Sequence, residues 1–288
     1  MQYGVTLPNV RVDARILADL ARDAEVAGWD GVFIWDSLHS ETDDLKGQPT
    51  CDPWIALTAM AMTTECVRIG PLVTPPTRRR PWKLARETAS LDQLSNGRLI
   101  LPVGLGYVGD AGFSKVGEEL DRKKRAQMLD ESLDILNGLW SGQPFSFDGE
   151  HYHLQEMIFV PTPVQSPRIP IWVIGAWPRK KSMQRALRYD GIIPAKMGED
   201  GFSGELTPAD IQEVKLFINE HRTATTPFDI IMEGETPGDD HEKAVSIVQP
   251  LAEAGVTWWL EAVWSMPETQ GGVEGMRNRI KQGPPPVG

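Results

Sequence analysis

Residues 3–36, YGVTLPNVRVDARILADLARDAEVAGWDGVFIWD, hold the unit from which the fold can be read. Tyr3–Leu7 is a short apolar run of strand character. From about Asp13 to Ala27, Leu17, Leu20, Ala21 and Ala24 recur at helical spacing on one face, and Gly28 supplies a C-terminal stop. Gly31–Trp35 is a second apolar run. Strand, amphipathic helix, strand is a βα unit, and the same alternation continues along the chain. Further strands are expected at Val67–Val73, Leu99–Val103, Ile171–Ile174, Gly191–Pro194, Phe228–Met232 and Thr257–Leu260.

Helix starts agree with this pattern. Asp52-Pro53 and Thr207-Pro208 each place a capping side chain before a proline suited to the first helical turn. A longer helix from about Asp121 to Trp140 carries Leu129, Leu133, Leu136 and Trp140 on one stripe. The strands are apolar on both sides, as expected when helices cover both faces of a parallel sheet. Eight such units, with no linker dividing the chain, predict a (β/α)8 TIM barrel rather than an open doubly wound sheet. Between the fourth helix and fifth strand, Phe145–Leu154 (FSFDGEHYHL) carries Asp148-Gly149 between aromatic-rich runs, which predicts a hairpin insertion. One domain is expected over residues 1–282, followed by a flexible Pro/Gly tail at 283–288.

Composition narrows the function. The chain has 288 residues, 41% of them hydrophobic, enough for a full core. Its 29 Lys and Arg against 40 Asp and Glu give a formal charge of -11, which disfavours general nucleic-acid binding. No stretch approaches the roughly 18 apolar residues of a membrane helix. The start, MQYGVTLPN, reads as a strand rather than a secretory signal. Cys51 and Cys66 lack metal or disulfide spacing, so reduced thiols and a cytoplasmic location are expected.

In a barrel of this kind, chemistry sits just past the C-terminal ends of the strands. After the second strand come Asp36 and His39, the candidate proton-handling residues. The third strand leads to Thr74-Pro75-Pro76 and then Arg78–Arg80, which reads as a solvated loop or as part of an anion site. The fourth leads into Gly104-Leu105-Gly106-Tyr107-Val108-Gly109. As a bare pattern this matches a dinucleotide fingerprint, but no helical pattern starts before about Glu119. The glycines are better explained as letting a flat ligand approach the strand end. The fifth strand runs into Gly175-Ala176-Trp177-Pro178-Arg179-Lys180-Lys181. Small residues, a helix start and three cations there make a phosphate site one reading and a solvated basic turn the other. His151-x-His153 falls on the hairpin without a third ligand, so two surface histidines are expected rather than a metal site. Serine-hydrolase and Walker motifs are absent.

Residues 77–106, TRRRPWKLARETASLDQLSNGRLILPVGLG, resemble the signature stretch of the bacterial luciferase-like family of flavin- and deazaflavin-dependent oxidoreductases. Ala27-Gly28-Trp29-Asp30, Asp148-Gly149-Glu150-His151-Tyr152, Pro170-Ile171-Trp172-Val173-x-Gly175 and Tyr189-Asp190-Gly191 extend the likeness over most of residues 1–195. The resemblance implies an oxidoreductase or monooxygenase acting on a small organic molecule, with F420 or FMN as cofactor and a homodimer as assembly. It places the ring against Leu72, Val73 and Thr74, with a non-proline cis peptide at Leu72–Val73 or a neighbour. Gly104, Gly106 and Tyr107 would lie beside the ring, and Gly175, Ala176, Trp177 and Arg179 would take the phosphate. The two basic triplets lean the choice toward the more anionic F420.

The chain departs from the family pattern at Pro102 and Ala176, where glycine is usual, and at Ser37, where deazaflavin members often carry histidine directly after the aspartate. Its loop at 233–240 is also short. An NAD(P)-dependent dehydrogenase using the 104–109 glycines and a non-catalytic flavin carrier are the rival expectations.

Overall fold

The computed structural model of the chain describes residues 1–38, 45–198, 204–263 and 272–285. In order, the elements are β1 (Gln2–Leu7), α1 (Ala14–Val26), β2 (Gly31–Ile34), α2 (Pro53–Thr63), β3 (Arg68–Pro71), α3 (Pro81–Leu94), β4 (Leu101–Val103), α4 (Ala111–Ser114) and α5 (Arg122–Trp140). The hairpin strands β5 (Phe145–Asp148) and β6 (His153–Met157) follow. Then come β7 (Ile171–Trp177), α6 (Lys180–Ala186), β8 (Gly191–Lys196), α7 (Pro208–His221), β9 (Asp229–Gly234), α8 (His241–Ala254), β10 (Trp258–Glu261) and α9 (Gly272–Lys281). The fold is the expected (β/α)8 TIM barrel with a hairpin between α5 and β7.

The helix signals act as the sequence suggests. Leu17, Leu20, Ala21 and Ala24 of α1 are buried, and Gly28 ends that helix at φ 87°. The Asp52 carboxylate accepts from the Trp54 and Ile55 amides at the start of α2. Thr207 and Asp210 form a reciprocal capping box on α7. One stretch differs from expectation. Asp110 caps a short helix, α4, through the Gly112 amide, where the sequence predicts continuing loop. Four residues are too few to leave a periodic apolar signal, so only the cap itself announces this turn.

The chain divides into two compact units. The first comprises residues 1–7, 20–33 and those from Pro170 onward. Its strands follow the order β2-β1-β10-β9-β8-β7, with parallel registers such as Gln2 beside Trp258 and Trp172 beside Gly191. Phe33, Trp172 and Trp258, from three strands, form an aromatic cluster with ring centroids 5.2–6.0 Å apart. All three are buried; Trp172 and Trp258 lie at the N-terminal ends of their strands, and Phe33 is the third of the four residues of β2. A Cβ on Gly191 would fall 2.5 Å from the Trp172 ring, so that register admits only glycine. The cluster packs the interior between these strands.

The second unit comprises residues 8–19 and 34–169. Here β3 and β4 meet through the parallel bridges Ile69–Leu99 and Thr74–Val103. The buried apolar face of α5, including Leu129, Leu133 and Leu136, packs within this unit, and α3 and α5 are neighbours. The hairpin is tied to α5 by one carboxylate: Glu131 accepts from the successive amides of Glu150, His151 and Tyr152 at 2.8–3.0 Å. Residues 286–288 of the expected tail lie outside the described residues.

Trp172→Ala should remove the centre of the aromatic cluster and lower unfolding free energy by about 3–5 kcal/mol, the usual cost of truncating a buried tryptophan. Urea unfolding followed by circular dichroism measures this; a loss below about 1 kcal/mol would show that the cluster is not a packed layer.

Candidate active site

The second unit assembles a charged network past the C-terminal end of β2. Asp36 follows that strand by two residues, and its side chain is only 2% exposed. A carboxylate this deep needs partners for both oxygens. Oδ1 accepts from Arg78 Nη2 and Arg79 Nη2, both at 2.8 Å. Oδ2 accepts from Thr74 Oγ1 at 2.7 Å and from Arg79 Nη2 at 2.9 Å. Arg78 also donates to the Asp36 carbonyl and pairs with Asp110 at 3.4 Å. Two arginines and two aspartates leave this network formally neutral.

Asp110 is its second anchor. Its carboxylate accepts from Ser37 Oγ at 2.7 Å, from the Gly112 amide at 2.6 Å and from the Leu38 amide at 3.3 Å. Gly112 leaves no room for a side chain, because a Cβ would sit 2.5 Å from Arg78 Nη1. Asn9, fully buried just past β1, donates from Nδ2 to the carbonyls of Ser37 and Cys51 at 2.8 and 2.9 Å. The loop after β4 is held from below by Arg125 of α5, which donates to the carbonyls of Leu105 and Gly106 at 2.8 and 2.9 Å. Burial holds the Arg125 guanidinium below its usual range, partly countered by Asp121 and Glu119. Gly106 sits at φ 79°, and a Cβ there would fall 2.4 Å from the Phe113 ring.

Two clefts adjoin this network, both within the second unit. The first, of about 390 Å³, has a mainly apolar wall that includes Leu72, Val73, Pro75 and Phe113, with Gly106 and Tyr107 at its edge. The second, of about 380 Å³, is more polar and is lined by residues including Thr50, Cys51, Asp52 and Arg79. Asp36, Ser37 and Arg78 border both. Burial, followed by the charges of Asp52 and Asp13, raises the Cys51 thiol, which keeps it protonated rather than nucleophilic near neutrality.

The structure brings together Asp36, Leu72, Val73, Gly106 and Tyr107 of the expected site around the apolar cleft. The Leu72–Val73 peptide is cis, at the expected position. Thr74 and Gly104 stand behind the cleft: Thr74 is fully buried against Asp36, and the Gly104 amide donates to the Thr74 carbonyl at 3.2 Å. His39 lies outside the described residues. Of the Arg78–Arg80 stretch, Arg80 is exposed, but Arg78 and Arg79 are not solvated. Arg78 and Arg79 are taken up by Asp36 and Asp110, so this triplet does not present two unpaired cations to an anionic tail.

In the first unit, Gly175, Ala176 and Trp177 end β7, and Trp177–Pro178 is cis. The Ala176 amide donates to Ser182 Oγ at 2.9 Å, and Arg179 reaches the Gly198 carbonyl at 3.4 Å. Gly175 serves packing, since a Cβ there would fall 2.3 Å from Ile192. Among the described residues, no group of histidine, cysteine and carboxylate side chains could hold a metal, and His153 instead contacts Asp148 at 2.7 Å.

Sequence reasoning did not pick out Asn9, Asp110 or Arg125. Asn9 and Asp110 carry a faint signal, a polar residue just past a strand and a capping residue after glycine. Arg125 carries none, because an arginine within a helix reads as solvent-facing until the packing is seen.

The chain matches the luciferase-like monooxygenase family over residues 1–248 and belongs to it. It is 32% identical over 219 residues to a protein of Gordonia bronchialis named F420-dependent glucose-6-phosphate dehydrogenase, covering 73% of this chain and 61% of that one. The chain spans about half to three-fifths of the length of the first such relatives it matches. Among solved structures, an F420-dependent secondary alcohol dehydrogenase in complex with an F420-acetone adduct superposes with a TM-score of 0.77 at 19% identity, covering 98% of both chains. The coenzyme F420-dependent tetrahydromethanopterin reductase of Methanopyrus kandleri gives 0.74 at 16% identity, covering 98% of this chain and 96% of that one. At these identities the likeness shows the fold.

Asp36→Ala should leave two largely buried guanidinium groups without their shared carboxylate and lower stability by about 3–5 kcal/mol. Chemical unfolding measures the loss; a change below about 1 kcal/mol would mean that water already carries most of this pairing.

Proposed function

We propose that the chain is an oxidoreductase of the luciferase-like family that uses F420, in preference to FMN, to oxidise or reduce a small organic molecule. The observation that carries this reading is the apolar cleft of about 390 Å³ bordered by the cis Leu72–Val73 peptide. Its size is that of an ordinary cofactor pocket. Its residues fit a flat ring: Leu72, Val73, Pro75 and Phe113 give it apolar walls, while Gly106 carries no side chain at the edge. The names of the F420-dependent relatives support F420.

The chemistry such a cofactor supplies is hydride transfer at the ring carbon. The chain would do the rest. Leu72, Val73 and Phe113 exclude water from the reacting face. Thr74 and Gly104, fixed behind the cleft, hold the strand end in place, and Arg125 fixes the glycine loop beside it. Gly175, Ala176, Trp177 and Arg179 would receive the phosphorylated arm. Because the Ala176 amide is engaged by Ser182, the attraction there would come mainly from Arg179 with Lys180 and Lys181. Asp36 would act by positioning Arg78, Arg79 and Thr74, and His39 would be the proton-handling residue of this proposal.

Residues 1–282 would work as one catalytic domain, in the cytoplasm, as a homodimer. The outer face of α2 supports the last point: Ile55 and Met62 are 63% and 67% exposed on a helix whose other face is already buried.

Tryptophan-fluorescence titration tests the reading. F420 should saturate at micromolar concentration or below and bind more tightly than FMN. Arg179→Ala should weaken F420 about tenfold, equivalent to about 1.4 kcal/mol, while leaving the phosphate-free deazaflavin unchanged. Saturation by NADPH with no response to either ring cofactor would contradict the proposal.

A further inference from the structure

A further cleft, of about 360 Å³, lies within the first unit, between α7, the start of β9 and the turn from α8 into β10. Phe228, Ile230 and Thr257 on its wall stand at the N-terminal starts of β9 and β10. A TIM barrel does its chemistry at the opposite, C-terminal strand ends. A molecule bound in this cleft is therefore not the reacting one.

The charge of the cleft is unusual for this chain. Lys215, Asn219 and Arg222 line it, spaced four and three positions apart along one face of α7 and its cap. None of the residues lining it is acidic, although the chain has a formal charge of -11. The Lys215 stem crosses Gly255, where a Cβ would fall 2.6 Å from Lys215 Cδ and 3.1 Å from Nζ. Gly255, at φ 123°, thus seats the ammonium against the turn that ends α8.

Arg222 is fixed by neutral groups. Nη1 donates to the carbonyls of Ala224 and Thr226 at 2.6 and 2.7 Å, and Nη2 donates to Thr226 Oγ1 at 2.8 Å. Its guanidinium carbon lies 4.8 Å from the centre of the Phe228 ring. These contacts orient the cation without neutralising it. Nη2 keeps a second proton, and Nε is buried with no partner among the described residues. The carboxylate of Asp229, behind Thr257, is already occupied. It accepts from Thr257 Oγ1 at 2.9 Å and from Trp172 Nε1 at 3.2 Å. Among the described residues, no carboxylate pairs with Lys215 or Arg222. The C-terminal ends of α7 and α8 offset these two cations by about half a charge each, so a net charge of about +1 remains.

We infer that this cleft is a second, non-catalytic ligand site that takes the phosphate group of a small phosphorylated organic compound. Lys215 Nζ, Asn219 Nδ2 and Arg222 Nη2 would each donate to one oxygen. A phosphate monoester offers three such oxygens and a carboxylate two, so three donors from three residues match the phosphate. Ile218, Phe228 and Ile230 would cover the carbon skeleton. The inference does not depend on the redox reading and stands or falls whether or not F420 binds.

The test follows backbone amides by NMR while the full chain is titrated with glycerol 3-phosphate, in the presence and absence of F420. Succinate and glycerol serve as comparisons. The amides of Asn219, Ala224 and Gly255 should shift alike in both series and saturate with a Kd of about 1 mM or below. Succinate should bind about tenfold more weakly, and glycerol should leave these amides unmoved. Lys215 is exposed on α7, so its replacement leaves the core packing in place. Lys215→Ala should weaken binding about tenfold, and Lys215→Arg, which keeps the charge, should stay within about threefold of the parent. Lys215→Glu should abolish the shifts while urea unfolding stays parent-like. Shifts that spare the three amides, or parent-like saturation of Lys215→Glu, would overturn the site. Succinate binding as tightly as glycerol 3-phosphate would overturn the phosphate assignment.

Discussion

A single buried carboxylate, Asp36, organises the second unit of this protein. Two guanidinium groups and a threonine hydroxyl converge on its oxygens, and only 2% of the side chain is exposed to water. Such a cluster is costly to desolvate and contributes little net stability over an apolar replacement of the same shape. Its value lies in geometry. Arg78 carries the pairing on to Asp110, which in turn holds Ser37 and caps α4. The ends of β2 and β3 and the loop after β4 are therefore fixed relative to one another by directional bonds rather than by apolar packing alone.

The first unit solves a different problem. Six strands with small residues at their close approaches need large side chains between them, and Phe33, Trp172 and Trp258 provide these. The opposite strand ends carry polar work. Glu261, at the end of β10, accepts from Thr236, Trp259 and Arg279, which ties α9 to the loop after β9. Burial lowers the Arg279 guanidinium, and the neighbouring Glu261 offsets part of that shift.

Much of this was legible in the sequence because it is periodic or local. The eight apolar runs, the caps at Asp52 and Thr207, the stop at Gly28 and the Asp148-Gly149 hairpin each depend on a few neighbouring residues. The cis bond at Leu72–Val73 was reached through the family resemblance, since nothing in the dipeptide itself demands it. What escaped was long-range. Asp36 meets Arg78 and Arg79 across more than forty positions, and Asp110 meets Ser37 across seventy-three. A run of three arginines after a strand looks solvated until its carboxylates are located, and Arg78 and Arg79 prove to be paired with Asp36 and Asp110. Arg125 shows the same limit from within a helix.

The central claim is that the apolar cleft beside the cis Leu72–Val73 peptide receives a deazaflavin ring. A crystal structure of the F420-loaded protein tests this most directly. The account predicts the ring in van der Waals contact with Leu72 and Val73, with Gly106 at its edge. A ring bound elsewhere, with that cleft filled only by water, would contradict it.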